Sequence, residues 1–145
     1  MKNSLFILIV FLFSLPYVGI SQELATVTKK DSKVYVVGVS KNEDAIKAAD
    51  KLVDDLKDWS YWEVKSTKDE ADFVLKVDIK TSKGVTLTSW GGTSYSLIAQ
   101  ITDKSGGVLW ESSQYKASPN GTNGFNAANA VVKKFVRALK KKFKE

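Results

Sequence analysis

From Glu70 to Lys80 the side chains alternate: Phe73, Leu75, Val77 and Ile79 are apolar, and Val74, Lys76, Asp78 and Lys80, mostly polar, form the other set. A period of two puts one set on each face of a β-strand. No other stretch is so cleanly patterned, and it predicts the central strand of the fold. Val34 to Val39, VYVVGV, is a β-branched run that is apolar on both faces. It predicts an inner strand covered on both sides, or one with a face at an interface. Tyr61 to Lys65 predicts a second strand, and Lys68-Asp69-Glu70 a turn before the central one. Beyond Lys80 the strand continues, with a break at Lys83-Gly84, through Val85 and Leu87 to Trp90. Gly91-Gly92 signals a hairpin turn, and Tyr95, Leu97, Ala99 and Ile101 alternate on the return. Asp103 to Gly107 is a second tight turn. It leads to a last strand, Val108 to Tyr115, with Val108 and Trp110 on one face.

Two stretches carry the helical period instead. Ser40-Lys41-Asn42-Glu43 has the form of a capping box, and Ile46, Ala49, Leu52, Val53 and Leu56 follow it as an apolar stripe. This predicts a helix to about Leu56, ended by Trp59 and Ser60. Ser118-Pro119-Asn120-Gly121 breaks the sheet pattern. A final helix is predicted from Asn123–Asn126 onward, with Phe125, Ala128, Val132, Phe135, Leu139 and Phe143 as its stripe. The order β-α-β-β-β-β-α predicts an α+β two-layer sandwich. In it, two helices pack on one face of a mostly antiparallel sheet of four to five strands.

The amino terminus has a different pattern. Lys2 precedes an apolar run from Leu5 to Leu15, Pro16 ends it, and Gly19-Ile20-Ser21 offers small residues at a cleavage site. Residues 1–21 are therefore expected to be a cleaved secretory signal peptide, since a run of about 11 residues is shorter than the roughly 20 that span a bilayer. Residues 22–33 read as a flexible polar lead-in, and residues 34–145 as one α+β domain. The expected location is secreted or periplasmic.

Composition narrows the chemistry. Among 145 residues there is no histidine and no cysteine. A Ser-His-Asp triad, a thiolate nucleophile and the usual zinc sites are thereby excluded. A secreted domain with no disulfide fits a bacterial envelope better than a small eukaryotic extracellular scaffold. No phosphate-cradling loop, EF-hand spacing or GxSxG elbow is present, and no cofactor is expected. The net charge of +6 is concentrated: Lys133 to Glu145 holds seven basic residues and one acid.

Three groups of residues are candidates for function. Lys133, Lys134, Arg137, Lys140, Lys141, Lys142 and Lys144 form a basic helix end suited to lipid headgroups, an acidic protein or a polyanionic glycan. The plainer reading, which the pattern favours, is a solvated face beside the acidic first helix. Trp90-Gly91-Gly92-Thr93 with Tyr95 places aromatics at a hairpin tip, where they can stack on a sugar or fill a partner's pocket. The competing reading folds the Trp back onto its strand. Asp72, Asp78, Asp103 and Glu111 are the carboxylates that could serve acid/base chemistry, but spacing does not pair them, and Asp103 is expected to bond its own turn. Trp59 and Trp62 read as core or core-edge residues.

Three segments together carry a family resemblance: the helix-strand unit ending at Trp59 to Lys65, the strand start Glu70-Ala71-Asp72-Phe73-Val74-Leu75, and Ile101-Thr102-Asp103-Lys104-Ser105-Gly106-Gly107-Val108-Leu109-Trp110-Glu111. They resemble the small bacterial envelope domains related to the amino-terminal domain of TolB, the CsgG-type periplasmic domain and the LpoB-type activator. The resemblance implies a non-catalytic envelope domain that works by protein contact. The chain departs from it in lacking a lipoprotein cysteine and in its longer Trp90-Gly91-Gly92 hairpin. The expected function is a non-enzymatic binding domain that contacts another envelope component, a protein or a glycan. The alternatives are a carbohydrate-binding or carbohydrate-cleaving envelope protein, and a basic protein attached to a surface through its last helix. Nucleic acid is not an expected partner, and any membrane contact is expected to be peripheral.

Overall fold

The computed structural model describes residues 16–84, 92–119 and 126–143, with side chains from residue 22 onward. Helix α1 spans Pro16–Val27, strand β1 Lys33–Gly38, helix α2 Glu43–Trp59 and strand β2 Glu63–Lys65. Strands β3 (Phe73–Lys83), β4 (Thr93–Thr102), β5 (Val108–Glu111) and β6 (Tyr115–Ala117) follow, and helix α3 spans Ala127–Phe143.

The six strands form one sheet in the order β2-β1-β3-β4, and β5 and β6 share the far edge of β4. The expected α+β layering is present, with a sixth strand and a third helix added. The pairing is also more mixed than expected, because β1 runs parallel to both β2 and β3. The reason is mechanical. A strand re-entering the sheet after a crossover helix must run parallel to the strand before that helix. β2 is only three residues long, so the short segment 66–72 can carry the chain back to start β3 in the same direction.

The alternation read in the central strand holds. Phe73, Leu75, Val77 and Ile79 are buried, as are Leu97, Ala99 and Ile101 on β4. They meet Ala45, Ala48, Leu52 and Leu56 of α2 and Val131, Val132, Phe135, Val136 and Leu139 of α3. Each large apolar side chain removed from water here contributes about 1.5–3 kcal/mol. The opposite face of the sheet carries Tyr35, Val37, Lys76, Asp78, Ile98 and Gln100, most of them half-buried.

Several local expectations are revised. Helix α2 is capped by Asn42, whose Oδ1 accepts from Asp44 N (3.0 Å) and Ala45 N (3.4 Å). Ser40 donates instead to Asp78 Oδ1 at 3.1 Å, and Glu43 pairs with Lys47 at 2.7 Å. Ser60 ends the helix in the left-handed region (φ 54°), its N–H returning to Leu56 O and Lys57 O. Ile46, expected in the buried stripe, is 46% exposed, because the face turned to the sheet is centred on Ala45, Ala48, Leu52 and Leu56. Helix α3 begins where expected, with Asn126 Oδ1 accepting from Asn129 N at 3.2 Å, while Phe125 lies outside the described residues.

The last strand is split. A bulge sets Leu109 and Trp110 against Ile101, so Val108, opposite Thr102, and Trp110, opposite Ile101, lie on different faces rather than one. Ser112 bridges the gap between β5 and β6. Its N–H donates to Ala99 O (2.8 Å), and its Oγ accepts from Ala99 N (2.9 Å), completing the ladder with a side chain.

The segment expected to be a loose lead-in is folded onto the domain. Helix α1 contacts β5, Leu24 and Val27 pack against the core, and Thr28 and Ser32 are buried. Trp62 locks it in place by donating its Nε1–H to Thr28 O at 2.8 Å. Residues 1–15 of the expected signal segment lie outside the described residues, and α1 runs across the expected cleavage point after Ser21. Among the described residues no helix is long and apolar enough to cross a membrane.

Candidate functional site

The hairpin formed by β3 and β4 runs on past the end of β1. β1 stops at Gly38, level with Val77, whereas β3–β4 pairing continues through Asp78–Ile98 to Lys83–Thr93. Those six further rungs make an arm of about 20 Å at ~3.4 Å per residue. β6 flanks its β4 side at Leu97, Ser96 and Tyr95, so the Ser82–Ser94 and Lys83–Thr93 rungs extend beyond both neighbouring strands. Trp90 and Gly91, the centre of the expected recognition tip, lie outside the described residues.

Gly92 and Tyr95, of the same group, have visible structural duties. A Cβ on Gly92 would fall 2.1 Å from Pro119 Cγ, so this position accepts glycine only because the chain after β6 lies against it. Ser94 Oγ donates to Ser118 Oγ at 3.0 Å just beyond. Tyr95 stands two residues before the buried Leu97, on the helix face, and is half-buried against the core. Burial, with the negative charge of Asp44 next in weight, raises its phenol above the usual tyrosine range. Gly92 therefore stands at the far end of the arm and Tyr95 midway along it, each packed against its own domain.

The basic residues are divided by their surroundings. Lys133, Arg137 and Lys140 line a groove whose other wall is Asp55 and Asp58 of α2, with Val136 between. Lys134 donates to Lys116 O at 2.7 Å, and Lys142 sits 5.4 Å from the centre of the Trp110 ring. Lys141 is exposed, and Lys144 lies outside the described residues. Lys133, Arg137 and Lys140 thus stand across from acid, while Lys134 and Lys142 are engaged with their own domain.

A shallow hollow on the sheet face opposite α2 and α3 was not legible in the sequence. Val39, Lys76, Asp78, Ile98, Gln100 and Glu111 line it. It brings two of the four candidate carboxylates to one surface, since Asp78 and Glu111 arrive from β3 and β5. The two strands are separated by β4, so their backbones are roughly 10 Å apart. Each carboxylate has a neighbour of its own: Asp78 accepts from Ser40, and Glu111 accepts from Gln100 Nε2 at 2.6 Å. The other two serve the backbone. Asp72 accepts from Lys33 N at 2.7 Å. Asp103 accepts from Ser105 Oγ and Gly107 N, and these bonds hold it below the usual carboxylate range, as its turn position suggested. Among the described residues no group of three or more acidic, His or Cys side chains is placed to hold a metal.

No family model matches the chain, and no curated protein matches it. Solved structures do match. PelC from Paraburkholderia phytofirmans, in a structure described as a dodecamer, is 15% identical with a TM-score of 0.55, over 73% of this chain and 86% of that one. The DUF330 protein XCC0632 from Xanthomonas campestris is 11% identical with a TM-score of 0.52, over 77% and 83%. Lipoprotein GNA1162 from Neisseria meningitidis is 12% identical with a TM-score of 0.49, over 76% and 99%. At these identities the first two show that the chain shares the fold of these small bacterial proteins.

Proposed function

We propose that this chain is a non-enzymatic binding domain of the bacterial cell envelope, secreted or periplasmic. In this reading it contacts another envelope component, protein or glycan, through the β3–β4 arm, with Trp90 as the contact residue. The arm carries the proposal: its rungs continue past β1, and Tyr95 against the core, the Ser94–Ser118 bond and the approach of Gly92 to Pro119 hold it in place along its length. An arm held in place in this way keeps the ordering cost of binding low. The kinship with the TolB amino-terminal, CsgG-type and LpoB-type domains belongs to the same proposal.

Site-specific photo-crosslinking in living cells tests it. A photoreactive phenylalanine analogue at Lys83 or Thr93, on the arm, should give discrete adducts that Trp90→Ala abolishes. The same analogue at Glu63, on the opposite edge, should give none of them. Protease digestion against glycan hydrolysis of the adduct then identifies the partner class. Adducts only at multiples of this chain's own mass would mean that the arm serves self-association. Adducts equal at all three positions would end the proposal.

A further inference from the structure

The sheet edge beside β1 is only half occupied. Asp72 N donates to Lys33 O (2.8 Å) and Val39 N to Val77 O (2.9 Å), so the odd-numbered residues of β1 turn their backbone groups toward β3. Val34, Val36 and Gly38 turn theirs outward. β2 meets this outer edge only at the Lys33–Glu63, Val34–Val64 and Tyr35–Lys65 rungs. Past those rungs, no strand among the described residues faces the carbonyl of Val36 or the N–H and carbonyl of Gly38. Gly38 itself is exposed.

Helix α2 forms an apolar wall over this open edge. A Cβ on Gly38 would lie 3.4 Å from Ala49 Cβ, which places Ala49 directly above it. Ile46, three residues before Ala49, and Val53, four after, share that flank of the helix. On the other side of the strand Val39 is 55% exposed. Two of the three exposed large hydrophobics among the described residues, Ile46 and Val39, thus flank one unpaired strand edge. The outer rim of the wall carries Asp50 and Asp54, with Lys57 toward the β2 end, and Glu43 at the start of the helix is paired with Lys47. Unpaired edges of this kind invite another strand, and natural sheets usually block them. Among the described residues no strand pairs with this one past Tyr35.

We propose that an extended segment of a partner protein adds to this edge beside Val36–Gly38, continuing the line of β2. Its β-branched or aromatic residues seat under Ile46 and Val53, and its alternate Lys or Arg residues face Asp50 and Asp54. This is recognition by strand addition, in which the ladder supplies affinity and the alternate side chains supply selectivity. The acidic rim decides against a second copy as occupant. A two-fold pairing of two β1 edges would set the same carboxylates against each other. The proposal does not depend on the arm.

The test is selection from a bead-bound library of nine-residue peptides, followed by amide exchange of the full chain with the retained sequences. Retained peptides should alternate apolar and basic residues and should slow exchange at Gly38 N–H. N-methylation of the peptide amides that face β1 should abolish binding. The exposed double substitution Asp50→Lys with Asp54→Lys should weaken it about fivefold at low salt. The proposal is overturned if no peptide is retained, if retained peptides leave Gly38 exchange unchanged, or if N-methylated peptides bind equally. Sedimentation showing a dimer whose formation alone protects Gly38 would overturn the choice of occupant.

Discussion

Replacing Trp62 with Phe tests the packing of the lower end of the domain. Trp62 is 2% exposed, and its Nε1–H donates to Thr28 O at 2.8 Å in a buried setting. Its ring lies 5.2 Å from Trp59, 5.0 Å from Phe73 and 5.0 Å from Phe143, centroid to centroid. Phe keeps an aromatic ring in place and removes the donor. The Thr28 carbonyl then loses its partner away from water, which costs about 1–3 kcal/mol. The smaller ring leaves a void of roughly 40 Å³, worth about 1 kcal/mol more. The expected loss is therefore about 2–4 kcal/mol, read as a lower urea midpoint at unchanged slope. At about 4 °C per kcal/mol for a domain of this size, the Tm should fall by roughly 8–16 °C. Amide exchange should accelerate across residues 22–32, the segment that Trp62 holds. Trp59→Phe is the control: Trp59 is half-buried and stacked on Tyr61 at 4.9 Å. A Trp62→Phe loss below about 0.5 kcal/mol, or one no larger than that of Trp59→Phe, would refute the hydrogen bond as the cause.

Three further outcomes are expected. Ser112→Ala removes the side-chain acceptor of Ala99 N and should cost about 1–3 kcal/mol in chemical denaturation; a change within about 0.3 kcal/mol would mean the ladder closes without it. Gly92→Ala drives a methyl into the Pro119 ring and should destabilise by about 1–3 kcal/mol, and adding Pro119→Ala should recover most of that loss. Tyr95 holds its proton more tightly folded than unfolded, so its contribution is intact below about pH 10 and is lost as pH rises through the folded-state value. Tyr95→Phe should flatten that alkaline decline and remove a late component from the 295 nm titration; an unchanged alkaline limb would contradict the burial.

The elements were legible where one face is buried and the period is long. Phe73 to Ile79, Leu97 to Ile101 and the α3 stripe follow their periods because each meets a continuous apolar surface. Legibility failed where a backbone partner, and not a side-chain period, decides the outcome. Ser40 and Asn42 are both good caps, and Asp78, distant in sequence, draws Ser40 away from the helix. The direction of β2 has no sequence signal in three residues, and β6 exists because Ser112 carries the ladder across an irregular stretch. Leu24, Val27 and Thr28 look like a polar lead-in until Trp62 supplies a donor from the other side of α2.

The candidate surfaces were less legible for a related reason. The hollow joins Val39, Asp78, Gln100 and Glu111, and the helix groove joins Asp58 to Arg137, across separations that no spacing rule reaches. One clue was nonetheless present. Val34 to Val39 is apolar on both faces, which requires cover on both sides or an interface. In the structure α2 covers the face of Val34 and Val36, whereas no helix among the described residues covers Tyr35, Val37 and Val39, and β2 pairs only the first half of the outer edge. Local pattern and global packing agree along most of this chain, so a residual disagreement carries information about function. Here it falls on one short strand, at the residues where side-chain exposure and unpaired backbone coincide. That coincidence makes the second half of β1 a more specific hypothesis than charge alone made of α3, because a charged helix face is content in water and an open β-branched edge is not.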